Sequence, residues 1–358
     1  MQECVKKFQS DYYYESFKTQ EHLQTMVYAH LNEIKSLRAL ELALNSQKIG
    51  VKSKIKRSTV SDANAKRPAE CFFWLVNYLM GLLPKRRNKE LNKFIKILDS
   101  SPIKLQGRGY DDWVKPHATA HWQGLKLHVE YDLSQQSPTN IKTSFANYND
   151  SSMGQRWPIM PNTIYIFDKG YCDFNWWWSI RQKGAYFVTR LKRNTAILMQ
   201  SRKKGCSKKI LEDGTYKLKN KHPRGGKKNL YRDELRRISV ARKGKDPLIL
   251  VTNLHDVSAE TIAELYKSRW EVELFFKWIK QNLKIKKFLG RSLNAVKIQL
   301  ATAIITYLLA QLFKKCFKKS LTLSLKLVWV KYNLHSMMKC YQKYKPPEYI
   351  IHRRPVYL

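Results

Sequence analysis

Lysine and arginine together number 67 in this 358-residue chain, against 28 aspartate and glutamate, giving a formal charge of +39 at pH 7. A compact chain with that excess repels itself, so it folds only around a substantial apolar core. Hydrophobic residues make up 43% of the sequence and aromatics 12%, which excludes a disordered polycation. The length allows roughly two or three domains. A field of this sign and size implies a polyanionic partner, nucleic acid first, and argues against an enzyme of small-molecule metabolism.

The six cysteines (Cys4, Cys71, Cys172, Cys206, Cys316, Cys340) have no close-paired spacing. This argues against a zinc ribbon or a disulfide framework and for a reducing compartment. The N-terminus opens on polar and aromatic residues, so no signal peptide is expected. The apolar run Leu300–Phe313 has 14 residues where a bilayer needs ~20, so it reads as a buried core helix.

Apolar spacing predicts helices over most of the first 85 residues, at His22–Leu31, at Leu37–Leu44 behind a Ser36 cap, from Ser58 to Asn64, and onward from Pro68. Short helices around the basic stretch Val51–Arg57 fit a helix-turn-helix or an ordinary bundle. From Phe94 the texture changes. FIKILD (Phe94–Asp99), LKLHVEYD (Leu125–Asp132), TIYIFD (Thr163–Asp168) and AYFVTR (Ala185–Arg190) read as strands, with a helix over Phe174–Lys183. The mixed order predicts an α/β sheet. Lys192 to about Lys245 reads as an inserted β region with basic loops, followed by a core strand at Pro247–Asn253. One long helix, Ala259 to about Lys284, leads into a largely helical C-terminal part.

Asp99 and Asp168 each end one of these strands. Such residues project from the strand-end edge where ligands gather, although each also suits a simple turn cap. On the long helix, Tyr266, Arg269, Glu273 and Lys280 fall within about 60° of one another and form a polar stripe. Glu271 lands on the far side, while Leu274, Phe275, Trp278 and Ile279 are expected to bury another flank. Taken alone, Arg269 and Glu273 at i, i+4 fit an ordinary solvated ion pair.

Together these segments resemble a known family. Tyr266, two residues, Arg269, three residues, Glu273, six residues, Lys280 is similar to the Tyr-Arg-Glu-Lys signature of bacterial insertion-sequence transposases. More specifically, the chain resembles the insertion-sequence-four type of DDE transposase. LDSSPI at Leu98, FDKGYCDF at Phe167 and AYFVTRLKRN at Ala185 resemble further blocks of that family, as do SLRALE at Ser36 and KRSTVSDANAKR at Lys56. The resemblance implies a ribonuclease-H-like catalytic core over 91–191 and 254–290, interrupted by a β-rich insertion over 192–253. A helical DNA-binding domain over 1–90 and a helical region over 291–358 would flank it. The catalytic and metal-binding acids would be Asp99, Asp168 and Glu273. One departure is that Ser101 and Pro102 stand where the family usually has two threonines, and Pro102 removes a backbone donor beside the first catalytic strand.

Phosphodiester chemistry explains three acids in so basic a chain. Carboxylates suit Mg²⁺, with Mn²⁺ substituting, where histidine or cysteine would not. Tyr266, Arg269, Lys280, Arg190 and Lys192 are expected to hold phosphates, and Lys54, Lys56 and Arg57 to contact the element's end. Arg193 is a further basic candidate. His117 and His121 have ligand spacing for a helix, but neither a helical context nor nearby cysteines. Trp176–Trp178 could stack on bases, although at least one or two should be core.

The implied activity is a DNA transposase that binds terminal inverted repeats, cleaves the ends and joins their 3′ hydroxyls to target DNA. The alternative is a non-catalytic DNA-binding relative that represses transposition. Expected partners are transposon-end and target double-stranded DNA and a second copy in a synaptic homodimer, with no membrane. A bacterial cytoplasmic location, nucleoid-associated on DNA, follows from that reading.

Overall fold

The computed structural model describes residues 1–46, 54–83, 86–105, 107–114, 123–205, 207–219, 226–282 and 288–316. His117, His121, the start of the basic stretch at Val51, and everything beyond Cys316 lie outside them.

Five helices open the chain: α1 (Gln2–Phe8), α2 (Thr19–Leu31), α3 (Leu37–Ser46), α4 (Arg57–Lys66) and α5 (Ala69–Gly81). Ser36 accepts from the Ala39 N–H at 3.2 Å, so the anticipated cap is present. Helices α3 and α4 pack together, and Leu40, Leu44, Val60 and Ala63 join Met26 in a small core. His22 is sealed inside this part, with its Nε2 2.9 Å from Asn64 Oδ1. Among the described cysteines, Cys4 and Cys71 meet although they are 67 residues apart, as free thiols with sulfurs 2.8 Å apart.

The rest is built on one sheet. Its strands are β1 (Phe94–Lys104), β2 (Gly124–Asp132), β3 (Ser137–Phe145), β4 (Thr163–Phe167), β5 (Tyr186–Arg190), β6 (Ile197–Met199), β7 (Lys203–Lys204), β8 (Ile210–Leu218), β9 (Leu235–Arg242) and β10 (Lys245–Thr252). The order is β3-β2-β1-β4-β5-β10-β9-β8-β6, with β7 beside β8. β1, β4 and β5 run parallel, β2 is antiparallel to β1, and β10 is antiparallel to β5. The β-rich segment after Lys192 is therefore a continuation of the central sheet through β10.

Pro102 lies beyond the β1–β4 pairing, which ends at Leu98 opposite Phe167, and there β1 pairs only with β2. Proline is tolerated on a strand with one open flank, so this departure leaves β1 intact.

Helices α6 (Asp150–Gly154), α7 (Phe174–Gln182), α8 (Ala259–Lys267), α9 (Trp270–Asn282) and α10 (Leu293–Cys316) complete the chain. On one sheet face, Ile95, Ile97, Ile164 and Ile166 share a core with α5, α8, α9 and α10. On the other, Leu98, Phe167 and Phe187 pack with Trp176 and Trp177 of α7. Those two tryptophans are buried, and the partly buried Trp178 meets Tyr231 edge to face, which assigns the run to packing.

Helix α10 corrects the length argument. Leu293–Leu312 is long and apolar enough, by length and composition, to cross a membrane, but most of it is buried inside the protein. Thr302 of α10 also meets His30 of α2 at 3.1 Å. Burial, rather than shortness, supports the core-helix reading.

Burial and the nearby Arg67 guanidinium push the His22 imidazole down to about 3, from an ordinary 6.5. The unfolded chain therefore takes up a proton first as pH falls, so His22's contribution is complete above 6.5 and is lost from there toward 3. Between pH 7 and pH 5 the unfolding free energy should fall by about 2 kcal/mol from this group. Urea denaturation of His22→Gln should show a shallower pH slope, and an unchanged slope would contradict the assignment.

Candidate active site

Chain direction brings two acids together. Leu98 and Phe167 are the last paired residues of parallel β1 and β4, and the next residue on each is an aspartate, Asp99 and Asp168. Asp168 follows the end of β4, whereas β1 runs on beside β2 to Lys104, so Asp99 lies within its strand at the point where pairing with β4 stops. Side chains alternate along a strand, so both acids follow Ile97 and Ile166 onto the face covered by α9. Each also makes the local bond of a turn residue. Asp99 Oδ1 accepts from the Ser100 N–H at 2.8 Å, and Asp168 Oδ1 accepts from the Gly170 N–H at 3.3 Å.

The anticipated long helix is two helices. α8 stops at Lys267, Ser268 Oγ donates to the Leu265 carbonyl at 2.7 Å, and Ser268–Arg269 form a turn before α9. Serine competing for a backbone carbonyl is the local cause. The break leaves Tyr266 buried on α8 and sends Arg269 toward the sheet edge. Arg269 Nη1 donates to Asp99 Oδ2 at 2.8 Å, and its Nη2 donates to Glu273 Oε1 at 2.5 Å. Only 12% of the Arg269 side chain and 16% of Asp99 are exposed, while Glu273 is 35% exposed, so the guanidinium is sheltered between a buried acid and one at the cleft wall.

Asp99, Asp168, Arg269, Glu273 and Lys280 line one open cleft of about 590 Å³. Ser100, Ser101, Phe276, Lys277 and Gln281 complete its lining. Lys277 and Gln281 follow Glu273 at i+4 and i+8, a helical spacing that could have identified them. Leu274, expected to be buried, is exposed, whereas Phe275 and Ile279 are buried. Glu271 is not among the residues lining the cleft, and its charge acts on Tyr131 and Tyr307.

Arg190, at the end of β5, places Nη1 4.0 Å from Asp168 Oδ2. Lys192 follows it, half-exposed, and does not line the cleft. Arg193 pairs with Asp246. Lys54, Lys56 and Arg57 are exposed at the start of α4, and they too lie outside the cleft lining.

Burial drives the Asp99 carboxyl up to about 6, against the pull of Arg269 and the Ser100 N–H, with Glu273 and Asp168 adding to the rise. Burial and the charge of Asp168 push Tyr266 up to about 12. Arg269 is held above its ordinary value: burial opposes its charge, but Asp99, Tyr266 and Glu273 outweigh that effect. No group of three potential ligands is drawn to metal-binding distance among the described residues. In this arrangement the guanidinium supplies the positive charge between Asp99 and Glu273.

A family model described as a transposase DDE domain matches residues 93–309, more than half of the chain. The chain belongs to the DDE transposases. Residues 1–50 match a domain of unknown function (DUF4372). A Sinorhizobium fredii protein assigned as a transposase is 38% identical over 261 residues, covering 71% of this chain and 70% of its own length. A transposase assigned to element IS5377 of Geobacillus stearothermophilus is 28% identical over 76% of this chain and 71% of its own. The transposase of element IS231E from Bacillus thuringiensis is 24% identical over 51% of this chain and 48% of its own.

Among solved structures, a piggyBac transposase synaptic complex with hairpin DNA is similar, with a TM-score of 0.50 at 10% identity. The match covers 99% of this chain and 82% of that one. The fold of this transposase is accordingly a mixed α/β arrangement around a ribonuclease-H-like core.

Removing Arg269 leaves Asp99 and Glu273 without their shared cation. Arg269→Ala should destabilise the metal-free transposase by about 2 kcal/mol, the scale of hydrogen bonds to buried charges. Arg269→Lys should recover only part, because one ammonium replaces a planar fork. Urea denaturation in chelator checks this, and unchanged stability in Arg269→Ala would contradict the bridge.

Proposed function

We propose that this transposase cleaves the ends of its element and joins their 3′ hydroxyls to target DNA, with Asp99, Asp168 and Glu273 as metal-holding catalytic residues. The observation that carries the proposal is that these three acids, from β1, β4 and α9, line one cleft with Arg269 and Lys280.

The donor set fits a divalent cation. It offers only hard carboxylate oxygens, and Arg269 already holds a positive charge between two of them. The family's general use of divalent metals points the same way, and the donor chemistry favours Mg²⁺, with Mn²⁺ able to substitute. When bound, such ions activate a water or hydroxyl and neutralise charge at phosphorus and the leaving oxygen.

The chain's own groups divide the remaining work. The guanidinium of Arg269 can turn from the carboxylates to a phosphate oxygen, with Tyr266 packed beneath it. Lys280 lines the same cleft, and Arg190 stands beside Asp168, so both can meet phosphates approaching the acids. Lys192 extends this basic path. Residues 1–90, with Lys54, Lys56 and Arg57 exposed, act as the end-recognition domain. In the proposed division, 91–191 and 254–290 form the catalytic core, 192–253 the insertion and 291–358 the C-terminal region. A synaptic homodimer holds both inverted repeats, and the protein works in the bacterial cytoplasm, on the nucleoid when bound to DNA.

Glu273→Gln tests the assignment against the repressor reading. It keeps size and helix propensity but removes the ligand charge. Mg²⁺-dependent nicking of a labelled transposon end should fall by roughly 10³-fold or more while end binding persists. Glu271→Gln, outside the cleft lining, should nick normally. Near-normal nicking by Glu273→Gln would sink the assignment, and binding without nicking in the wild type would favour the repressor.

A further inference from the structure

Behind the acid pair, on the opposite sheet face, lies a second polar cluster that the proposed chemistry does not use. Ser100 follows Asp99 and, although it also borders the acid cleft, its position alternates onto the face of Leu98. Its Oγ donates to Asp150 Oδ1 at 2.8 Å. Lys126 Nζ donates to the same oxygen at 3.2 Å and to the Tyr148 carbonyl at 2.9 Å. His128 stands opposite Ser100 in the β1–β2 register, fully buried, with Nε2 2.8 Å from Ser144 Oγ and Nδ1 3.8 Å from Asp150 Oδ1.

Asp150 also lies near the other catalytic turn. Its Oδ2 lies 3.9 Å from the place a Cβ would take on Gly170, whose N–H binds Asp168. At the far end of α6, Gly154 lies so close to Tyr171 that an added Cβ would meet Tyr171 Cδ1 at 3.0 Å and Trp176 at 3.3 Å. α6 therefore packs against the 169–171 turn, while Asp150 at its start bonds the residue that follows Asp99.

We infer that Asp150 is a positioning residue: through Ser100 and the Gly170 turn it fixes the peptides that carry Asp99 and Asp168, and so sets the separation of the two carboxylates. The inference rests on the proposed metal-holding role of that pair. Lys126 anchors Asp150 to β2 while Ser100 ties it to β1, so the clamp links both strands to α6. Partners that orient metal-holding carboxylates ordinarily change metal affinity by about 10–100-fold when removed.

The test compares Asp150→Asn, Ser100→Ala and Ser100→Thr, with Asp99→Asn as reference. Amide hydrogen exchange of the metal-free protein should rise about 10-fold in peptides covering 98–101 and 168–171, but not in β5, for Asp150→Asn and Ser100→Ala. Ser100→Thr, which keeps the hydroxyl, should match wild type. Mn²⁺ binding followed by electron paramagnetic resonance should weaken about 10-fold or more in the first two variants. Unchanged exchange in both peptides, or a rise spread evenly through the sheet, would overturn the positioning role. If Asp99→Asn binds Mn²⁺ like wild type, the metal-site reading fails instead, while the exchange result still decides the role of Asp150.

Discussion

The parallel pairing of β1 with β4 is the constraint on which the site depends. With Leu98 opposite Phe167, the end of the β1–β4 pairing delivers Asp99 and Asp168 side by side on one face. A slip of one residue in either strand would turn its aspartate to the opposite face, toward the Trp176 and Trp177 packing. The register is held from both sides. Ile95, Ile97, Ile164 and Ile166 sit in the helix-covered core, whereas Leu98 and Phe167 sit in the aromatic one. Packing thus fixes a geometry that three mutually repelling carboxylates could not fix themselves.

Charge compensation then sets what the cleft can do without metal. Asp99 is largely buried and would be protonated more readily than a surface acid, yet Arg269 pulls the other way. The same guanidinium bonds Glu273 across one helical turn, so α9 is tied electrostatically to β1. The break at Ser268 makes this possible, because it frees Arg269 from a regular helix stripe. On the reverse face, Lys126 pairs with Asp150, which also accepts from the Ser100 hydroxyl.

Much of this was legible in the chain. β1, β4 and β5 were visible as apolar runs because parallel strands covered on both faces are apolar throughout. The two terminal aspartates and the helical spacing of Arg269 and Glu273 were visible too. β3 was not. SPTNIKTSF turns Lys142 and Ser144 toward a buried polar layer, so its hydrophobic signal is weak. The break between α8 and α9 was hidden because Ser268 is compatible with a helix, and the turn shows only in its bond to Leu265 and in the shortened backbone bonds from Arg269 to Tyr266 and from Glu271 to Ser268. Asp150 gave no signal at all. Its role comes from contacts with Ser100, 50 residues away, and with the turn at Gly170. The apolar run at Leu300–Phe313 was read correctly as core for an incorrect reason, since burial decides it and length does not.

A divalent metal held between β1, β4 and α9, as proposed, can be mapped directly on the polypeptide. Fe²⁺ with ascorbate and peroxide, added to the full-length transposase on its end DNA, generates radicals at the metal and cuts the polypeptide beside its ligands. Mapping the fragments should give cuts clustered near Asp99, Asp168 and Glu273, all suppressed by excess Mg²⁺ and by Asp99→Asn. Cuts confined to other segments, or insensitive to Mg²⁺, would contradict the account.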